Sequence, residues 1–300
     1  MTRSICVIAN RKSGRNSRDN KVIEDAIDVF GEGTTRRDWS PENDLSSLID
    51  KAIQDGADLI VAAGGDGTIM AVADAMRGRD VPMAVLPLGT FNFFARGLGL
   101  SEEPVEAARQ ILEGHAHDIR VGEVNGQTFL NNSSLGIYPS ILKEREAVYS
   151  RWGRRRLAAH WSVVKTMMRF RKPMRLRLEV DGGEPVEHRT AMIFVARSAY
   201  QLDYFGLEGS ELISEDKFAV LVSKANSRRR LFQLAWRLAS GTVREGRDYE
   251  LLSARDLVAT PRRRSTILAF DGEKQRAPGP FRFRMADAPL KIILPAERTE

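Results

Sequence analysis

The chain has 300 residues, room for two modest domains or one large one. Apolar residues make up 42% of it, enough to build cores, and no run approaches the ~18 uninterrupted apolar residues that would suggest a membrane span. The net charge is +6, and Cys6 is the only cysteine, which excludes an intrachain disulfide framework.

The first strand is predicted over 4–9, with Cys6 inside it as a packed thiol. It runs into Asn10-Arg11-Lys12-Ser13-Gly14-Arg15, a turn that offers amide, hydroxyl and cationic groups to an anion without matching the Walker pattern. Helices are predicted over 18–29 and 44–54, with a strand between them near Thr34 and Thr35. The apolar run 59–63 reads as a buried strand that stops at Gly64-Gly65-Asp66-Gly67-Thr68, and a helix follows over 68–76. Strand, glycine turn, helix brings bare backbone N–H groups close to a phosphate. Asp66 adds a carboxylate where a magnesium ion or a hydroxyl proton would need one. The strand over 81–87 ends in Leu88-Gly89-Thr90-Phe91-Asn92 and leads to helices over 91–96 and 103–112. Alternating strands and helices predict a parallel sheet, whose ligands bind beyond the carboxyl ends of the strands.

The pattern changes after Gly114. His115 and His117 read as a helix end or loop, and the histidines lack metal-ligand spacing. A hairpin is predicted over 119–130 around Asn125-Gly126, and a longer one over 174–195 around Asp181-Gly182. Further strands are predicted over 218–222, 248–259, 265–269, 281–285 and 290–294, with one helix over 228–239. Many short strands with Gly and Asn turns predict a sandwich. The boundary is placed near residue 120, giving an α/β domain over 1–120 and an all-β domain over 121–300.

Five motifs in this order resemble the diacylglycerol kinase catalytic family, which includes bacterial lipid kinases and sphingosine and ceramide kinases. They are Asn10 to Arg15, Gly64 to Thr68, Pro87 to Arg96, Asn131 to Gly136, and Phe270-Asp271-Gly272-Glu273. The resemblance implies an N-terminal nucleotide-binding α/β domain like those of NAD kinase and phosphofructokinase. It also implies a lipid-binding β-sandwich carrying the Asp-Gly-Glu motif, and an active site in the interdomain cleft. Arg11 departs from the family's proline, and Phe93 stands where most members have Asp. The resemblance also places a nucleotide-contacting threonine near the second strand, for which Thr35 is chosen. It implies a structural magnesium at Asp216, although Lys217 replaces a common glycine there.

ATP and Mg2+ are the expected cofactors. Asn10, Ser13, Gly14, Arg15, Thr35, Gly64, Gly65, Asp66, Gly67, Thr68, Thr90 and Asn92 are the expected nucleotide contacts. Asp66 and Asp216 are the expected metal-side carboxylates. A lipid hydroxyl needs a base as phosphoryl transfer begins. Asp271 is assigned that role with Glu273 orienting it, the reverse and Asp66 remaining open. Asn131, Asn132, Ser133 and Ser134 face the lipid head group in this reading, with Leu135, Ile137, Tyr138, Ile141 and Leu142 along the approach or in the core. The expected function is ATP-dependent phosphorylation of diacylglycerol or a similar neutral lipid. The rivals are an NAD kinase-like or sphingoid-base kinase and a non-catalytic, nucleotide-sensing membrane protein.

Between 147 and 178 there are ten Arg or Lys and no Asp or Glu. Leu157, Trp161, Val164 and Met168 share a helical face there. Either this helix packs on the sandwich, or it rests on an anionic membrane with Trp152 or Trp161 near the head groups. Nucleic acid is not expected as a partner, and a homodimer is left open. The few apolar residues before Asn10 are too short for a signal peptide, so a cytoplasmic, peripherally membrane-associated protein is expected.

Overall fold

The computed structural model describes residues 3–10, 17–137 and 172–296. Internal contacts divide the chain into two compact units, Met1–Val121 with Ala286–Glu300, and Gly122–Met285.

The first unit is built on strands β1 (Ile5–Asn10), β2 (Thr35–Trp39), β3 (Leu59–Gly64), β4 (Met83–Pro87) and β5 (His115–Ile119). Its helices are α1 (Ser17–Phe30), α2 (Leu45–Gln54), α3 (Asp66–Met76), α4 (Phe93–Gly97) and α5 (Pro104–Glu113). β1, β3 and β4 are continuous apolar runs because both their faces are covered, as the parallel α/β arrangement requires. α1 packs with α5, and α2 with α3. Asp44 caps α2, accepting the N–H groups of Ser46 and Ser47. The helix after the glycine turn begins at Asp66, two residues earlier than the apolar pattern predicts, so Asp66 and Gly67 lie in its first turn.

The chain returns to this sheet at its end. The last strand, β18 (Leu290–Leu294), pairs in parallel with β4 and antiparallel with β5, giving the order β2-β1-β3-β4-β18-β5. This corrects the assignment of 290–294 to the β domain; an apolar strand pattern does not say which sheet it joins. His115 and His117 lie in β5, not in a loop or helix end. That strand is an exposed, polar edge with no apolar alternation to announce it.

The second unit contains two antiparallel sheets. One has the order β10-β9-β14-β17-β6-β7 and comprises β6 (Gly122–Val124), β7 (Gln127–Phe129), β9 (Met174–Val180), β10 (Val186–Thr190), β14 (Leu257–Pro261) and β17 (Phe281–Met285). The other has the order β13-β12-β11-β8-β15-β16 and comprises β8 (Asn132–Gly136), β11 (Met192–Ala196), β12 (Phe218–Ser223), β13 (Tyr249–Ala254), β15 (Thr266–Phe270) and β16 (Glu273–Ala277). Three helices accompany them: α6 (Ala199–Tyr204), α7 (Ser210–Ser214) and α8 (Arg228–Ala239). Along β17 the residues Phe281, Phe283 and Met285 point inward and Arg282 and Arg284 outward. Phe129 stacks on Phe218 at 5.7 Å and meets Phe283 edge-on at 6.4 Å, so one aromatic cluster joins the two sheets.

The predicted strands over 186–195 and 248–259 each break in two and carry the chain between sheets. At the first break the Thr190 hydroxyl accepts the Met192 N–H at 3.1 Å and lies 2.6 Å from the Ser223 carbonyl. At the second, the Asp181 carboxylate accepts the N–H groups of Arg255 and Asp256, both at 2.8 Å.

Candidate active site

Three strand ends of the first unit finish at one level. Gly64 is the register partner of Pro87, and Ala9, just before Asn10, is the partner of Ala63. The Asn10 amide donates to the Thr68 hydroxyl at 3.2 Å, tying the first turn to the second. The second and third turns touch backbone to backbone. The Leu88 N–H bonds the Gly64 carbonyl at 2.9 Å. A Cβ on Gly89 would lie 2.8 Å from the Gly65 Cα, and one on Gly64 would lie 2.6 Å from the Thr68 Cβ. Only glycine permits this approach, which leaves the start of α3 at the carboxyl edge of the sheet. Anions are favoured at such a place by free N–H groups and the helix dipole.

Asn92 closes the third turn. Its backbone takes the left-handed conformation (φ 49°), its side-chain oxygen accepts the Gly89 N–H at 2.8 Å, and its amide donates to the Gly89 carbonyl at 3.2 Å. This buried side chain shapes the loop, whereas Thr90 is exposed beside it. The loop in turn surrounds Asp66, whose carboxylate accepts the Phe94 N–H at 3.5 Å. Burial pushes the Asp66 carboxyl above its ordinary value, against the N–H groups of Phe94, Asn92 and Phe93, which pull it down. No group of three or more His, Cys, Asp or Glu side chains able to hold a metal occurs among the described residues. A single carboxylate still fits magnesium, which keeps water and phosphate oxygens as most of its ligands.

In the second unit, Asp271 and Gly272 form the two-residue turn between β15 and β16, both with positive φ (43° and 89°), as a type I′ hairpin needs. Asp271 is buried. Its carboxylate accepts the N–H groups of Leu130, Asn131 (2.8 Å) and Asn132 (3.0 Å), and its own N–H bonds the Asn132 carbonyl at 3.0 Å. Asp271 therefore fastens the hairpin to the segment entering β8. Glu273, at the start of β16, is exposed. The two carboxylates thus differ in surroundings: the Asp271 oxygens are engaged by backbone N–H groups, and Glu273 is exposed. Ser133 and Ser134 are fully buried in β8, with the Ser133 hydroxyl on the Ala269 carbonyl at 2.9 Å, and Asn132 donates to Gln201 at 2.9 Å. These side chains build the unit's interior and do not present a head-group surface.

Two further expectations are corrected. Thr35 opens β2 opposite Cys6, while Trp39 is the residue level with Asn10. At about 3.3 Å per residue, Thr35 lies roughly 13 Å from the edge that carries the glycine turns. Its hydroxyl donates to the Ile5 carbonyl at 3.4 Å. Asp216 is paired with Arg197 at 2.7 Å, and the same guanidinium donates to the Ile213 carbonyl at 3.2 Å. A resident guanidinium thus holds the Asp216 carboxylate at the place where a metal was expected, which disfavours a cation there. Lys217 pairs with Glu215 at 2.6 Å. Ser13, Gly14 and Arg15 lie outside the described residues, as do Tyr138, Ile141, Leu142 and the basic stretch with Trp152 and Trp161.

Residues 4–124, which contain all three strand-end turns, match the model of the diacylglycerol kinase catalytic domain. This segment is similar to that family's catalytic domain. A protein of Pseudomonas fluorescens (strain Pf0-1) named "Probable lipid kinase YegS-like" is 35% identical over 136 residues, 45% of this chain and 44% of that protein. The diacylglycerol kinase of Bacillus subtilis (strain 168) is 47% identical over 82 residues, 26% of this chain and 27% of that protein. The matches thus span less than half of these curated relatives. A crystal structure of a diacylglycerol kinase from Bacillus anthracis str. Sterne superposes with a TM-score of 0.65 at 15% identity, covering 99% of this chain and 98% of that one. An NAD kinase from Archaeoglobus fulgidus, crystallised with ATP, superposes at 0.55 with 14% identity over 98% and 94%. At these identities the likeness is one of fold.

Within this segment, the departure at Phe93 has a structural reading. The Phe93 ring stacks on Phe91 at 5.5 Å with planes 2° apart, while its backbone N–H still faces Asp66. The loop's hold on Asp66 runs through the backbone and does not depend on the side chain that changed. Arg197 was missed in the sequence because nothing local links it to a carboxylate 19 residues later.

Proposed function

We propose that the protein is an ATP-dependent lipid kinase that transfers the γ-phosphoryl group of ATP to the hydroxyl of diacylglycerol or a similar neutral lipid alcohol. The observation that carries this reading is the common level of the Asn10, Gly64 and Pro87 strand ends, locked by Gly64, Gly65 and Gly89 and lying within the family segment. Phosphoryl transfer is largely positioning and charge neutralisation. Backbone N–H groups from Gly65 to Gly67 and the exposed Thr90 hold phosphate oxygens. Asp66 would hold a magnesium ion, which would neutralise the developing phosphate charge. Glu273 takes the proton of the acceptor hydroxyl; its exposure suits that work, whereas the Asp271 oxygens are already engaged by backbone N–H groups. The protein is peripheral to the membrane that holds such lipids.

NAD kinase is the nearest rival. Its likeness here lies in fold, while the family segment runs through Phe91-Asn92-Phe93-Phe94-Ala95-Arg96. Incubation with γ-labelled ATP, magnesium and either NAD or a total lipid extract separates the two. Label is expected in the organic phase, and Glu273→Gln is expected to lower its rate at least about a hundredfold. Label in NAD alone overturns the proposal, and an unimpaired Glu273→Gln enzyme removes that residue from the mechanism.

A further inference from the structure

Asp216 is an awkward residue for the turn it occupies. It lies just beyond α7 (Ser210–Ser214) and takes the left-handed conformation (φ 58°) that helix ends usually give to glycine. Its N–H bonds the Ile213 carbonyl at 3.1 Å, and the Lys217 N–H bonds the Leu212 carbonyl at 2.9 Å. A carboxylate is thus set among the carbonyl oxygens of a helix end, where negative charge is disfavoured unless a cation joins it.

Arg197 is that cation. Its guanidinium reaches the Asp216 carboxylate at 2.7 Å through one terminal nitrogen and the Ile213 carbonyl at 3.2 Å through the other. The fixed fork of donors spans both oxygens, which a single ammonium does less well. Only 13% of the Arg197 side chain is exposed, so this is not a surface pair weakened by solvent.

The backbone of the same residue reaches the hairpin that carries Glu273. Arg197 follows β11 directly, and its N–H bonds the Asn131 carbonyl at 2.8 Å. The Asn131 N–H in turn bonds the Asp271 carboxylate at 2.8 Å. A second link runs alongside: Ser198 caps α6 by accepting the Gln201 N–H at 3.2 Å, and Gln201 accepts the Asn132 amide at 2.9 Å. Residues 197–201 therefore brace the segment 130–132, whose N–H groups hold Asp271.

We infer that Arg197 is a positioning residue that does the work of a bound cation. Its guanidinium fastens the turn at 213–216 to the segment that holds Asp271, and so fixes the Glu273 hairpin without a metal at Asp216. The consequence for Glu273 rests on the lipid-kinase reading; the fastening does not.

The test is thermal melting and amide hydrogen exchange of the full chain without nucleotide, in EDTA and in magnesium or calcium chloride. The wild type is expected to melt alike in all three. Arg197→Ala is expected to melt several degrees lower in EDTA and to exchange the amides of 130–132 about tenfold faster. Divalent salt should restore part of both losses, and sodium chloride of equal ionic strength should not. Arg197→Lys, which keeps the charge and loses the fork, should fall between the two. With magnesium only equimolar to ATP, Arg197→Ala should lower kcat for lipid phosphorylation about tenfold and leave KM for ATP unchanged. Wild-type melting and exchange in Arg197→Ala, or losses that divalent salt does not relieve, overturn the inference. So does a wild-type melting temperature that divalent salt raises and that Asp216→Asn no longer lets it raise, since a metal would then sit at the carboxylate. Should Arg197→Ala not fold, Arg197→Ala/Asp216→Asn removes both charges and keeps a residue suited to the left-handed turn. It is expected to fold, and a double variant that also fails overturns the inference. The expected melting and exchange in a protein that phosphorylates no lipid would sink the kinase reading and leave the fastening by Arg197 standing.

Discussion

Asp66 sits where stability and chemistry pull in opposite directions. Its carboxylate is half-buried at the start of α3, and burial holds its pKa above the ordinary 3.8 despite the N–H groups of residues 92–94. The folded protein therefore binds this proton more tightly than the unfolded chain does. Ionised Asp66 costs stability at neutral pH, and that cost disappears as the pH falls below 3.8. Asp66→Asn should consequently melt at or above the wild type at pH 7, with the gain shrinking towards pH 4, while lipid phosphorylation is lost. Thermal melting across that range checks this, and a variant several degrees less stable at pH 7 would contradict it. A charge kept where it destabilises the fold suits the metal-side role proposed for Asp66. The sequence exposed Asp66 through its neighbours, because a carboxylate between glycines at a strand end is visible in one dimension. It could not distinguish Asp271 from Glu273. That difference lies in three backbone N–H groups contributed by residues about 140 positions away.

The elements repeat this division between local and distant signals. β1, β3 and β4 announce themselves as apolar runs, α2 by its Asp44 cap, and the β6–β7 hairpin by Asn125-Gly126. What stays hidden depends on tertiary partners: the polar edge strand β5, the sheet changes at Thr190 and Arg255, and the Arg197 guanidinium that takes the Asp216 carboxylate. The β15–β16 hairpin shows the consequence most clearly. Its turn is legible as Asp-Gly, but its anchoring to Leu130, Asn131 and Asn132 is not. Asp271→Asn puts an NH2 group where an acceptor is needed, leaving a buried backbone N–H without its bond. We expect a loss of about 2 kcal/mol and a melting temperature lowered by ~4–8 °C. Activity should fall with it, because Glu273 rides on the same hairpin. An Asp271→Asn protein as stable as the wild type would show that the turn holds itself.

At the scale of the whole molecule, each unit makes one kind of contribution. The unit formed by Met1–Val121 and Ala286–Glu300 supplies a parallel sheet whose strand ends gather glycine-bounded N–H groups. The unit Gly122–Met285 supplies an exposed carboxylate on a fixed hairpin. In the sequence, helices give way to strands near residue 120. The return of β18 to the first sheet was not legible there, since its five residues read like any other strand. The claim on which the rest depends is that the strand-end turns bind the phosphates of ATP. A crystal structure with a non-hydrolysable ATP analogue and magnesium tests it most directly. The account predicts phosphate oxygens within hydrogen-bond distance of the N–H groups of Gly65 to Gly67, with Asp66 on the metal side. A nucleotide bound elsewhere, with the Asn10, Gly65 and Gly89 turns out of its reach, would contradict it.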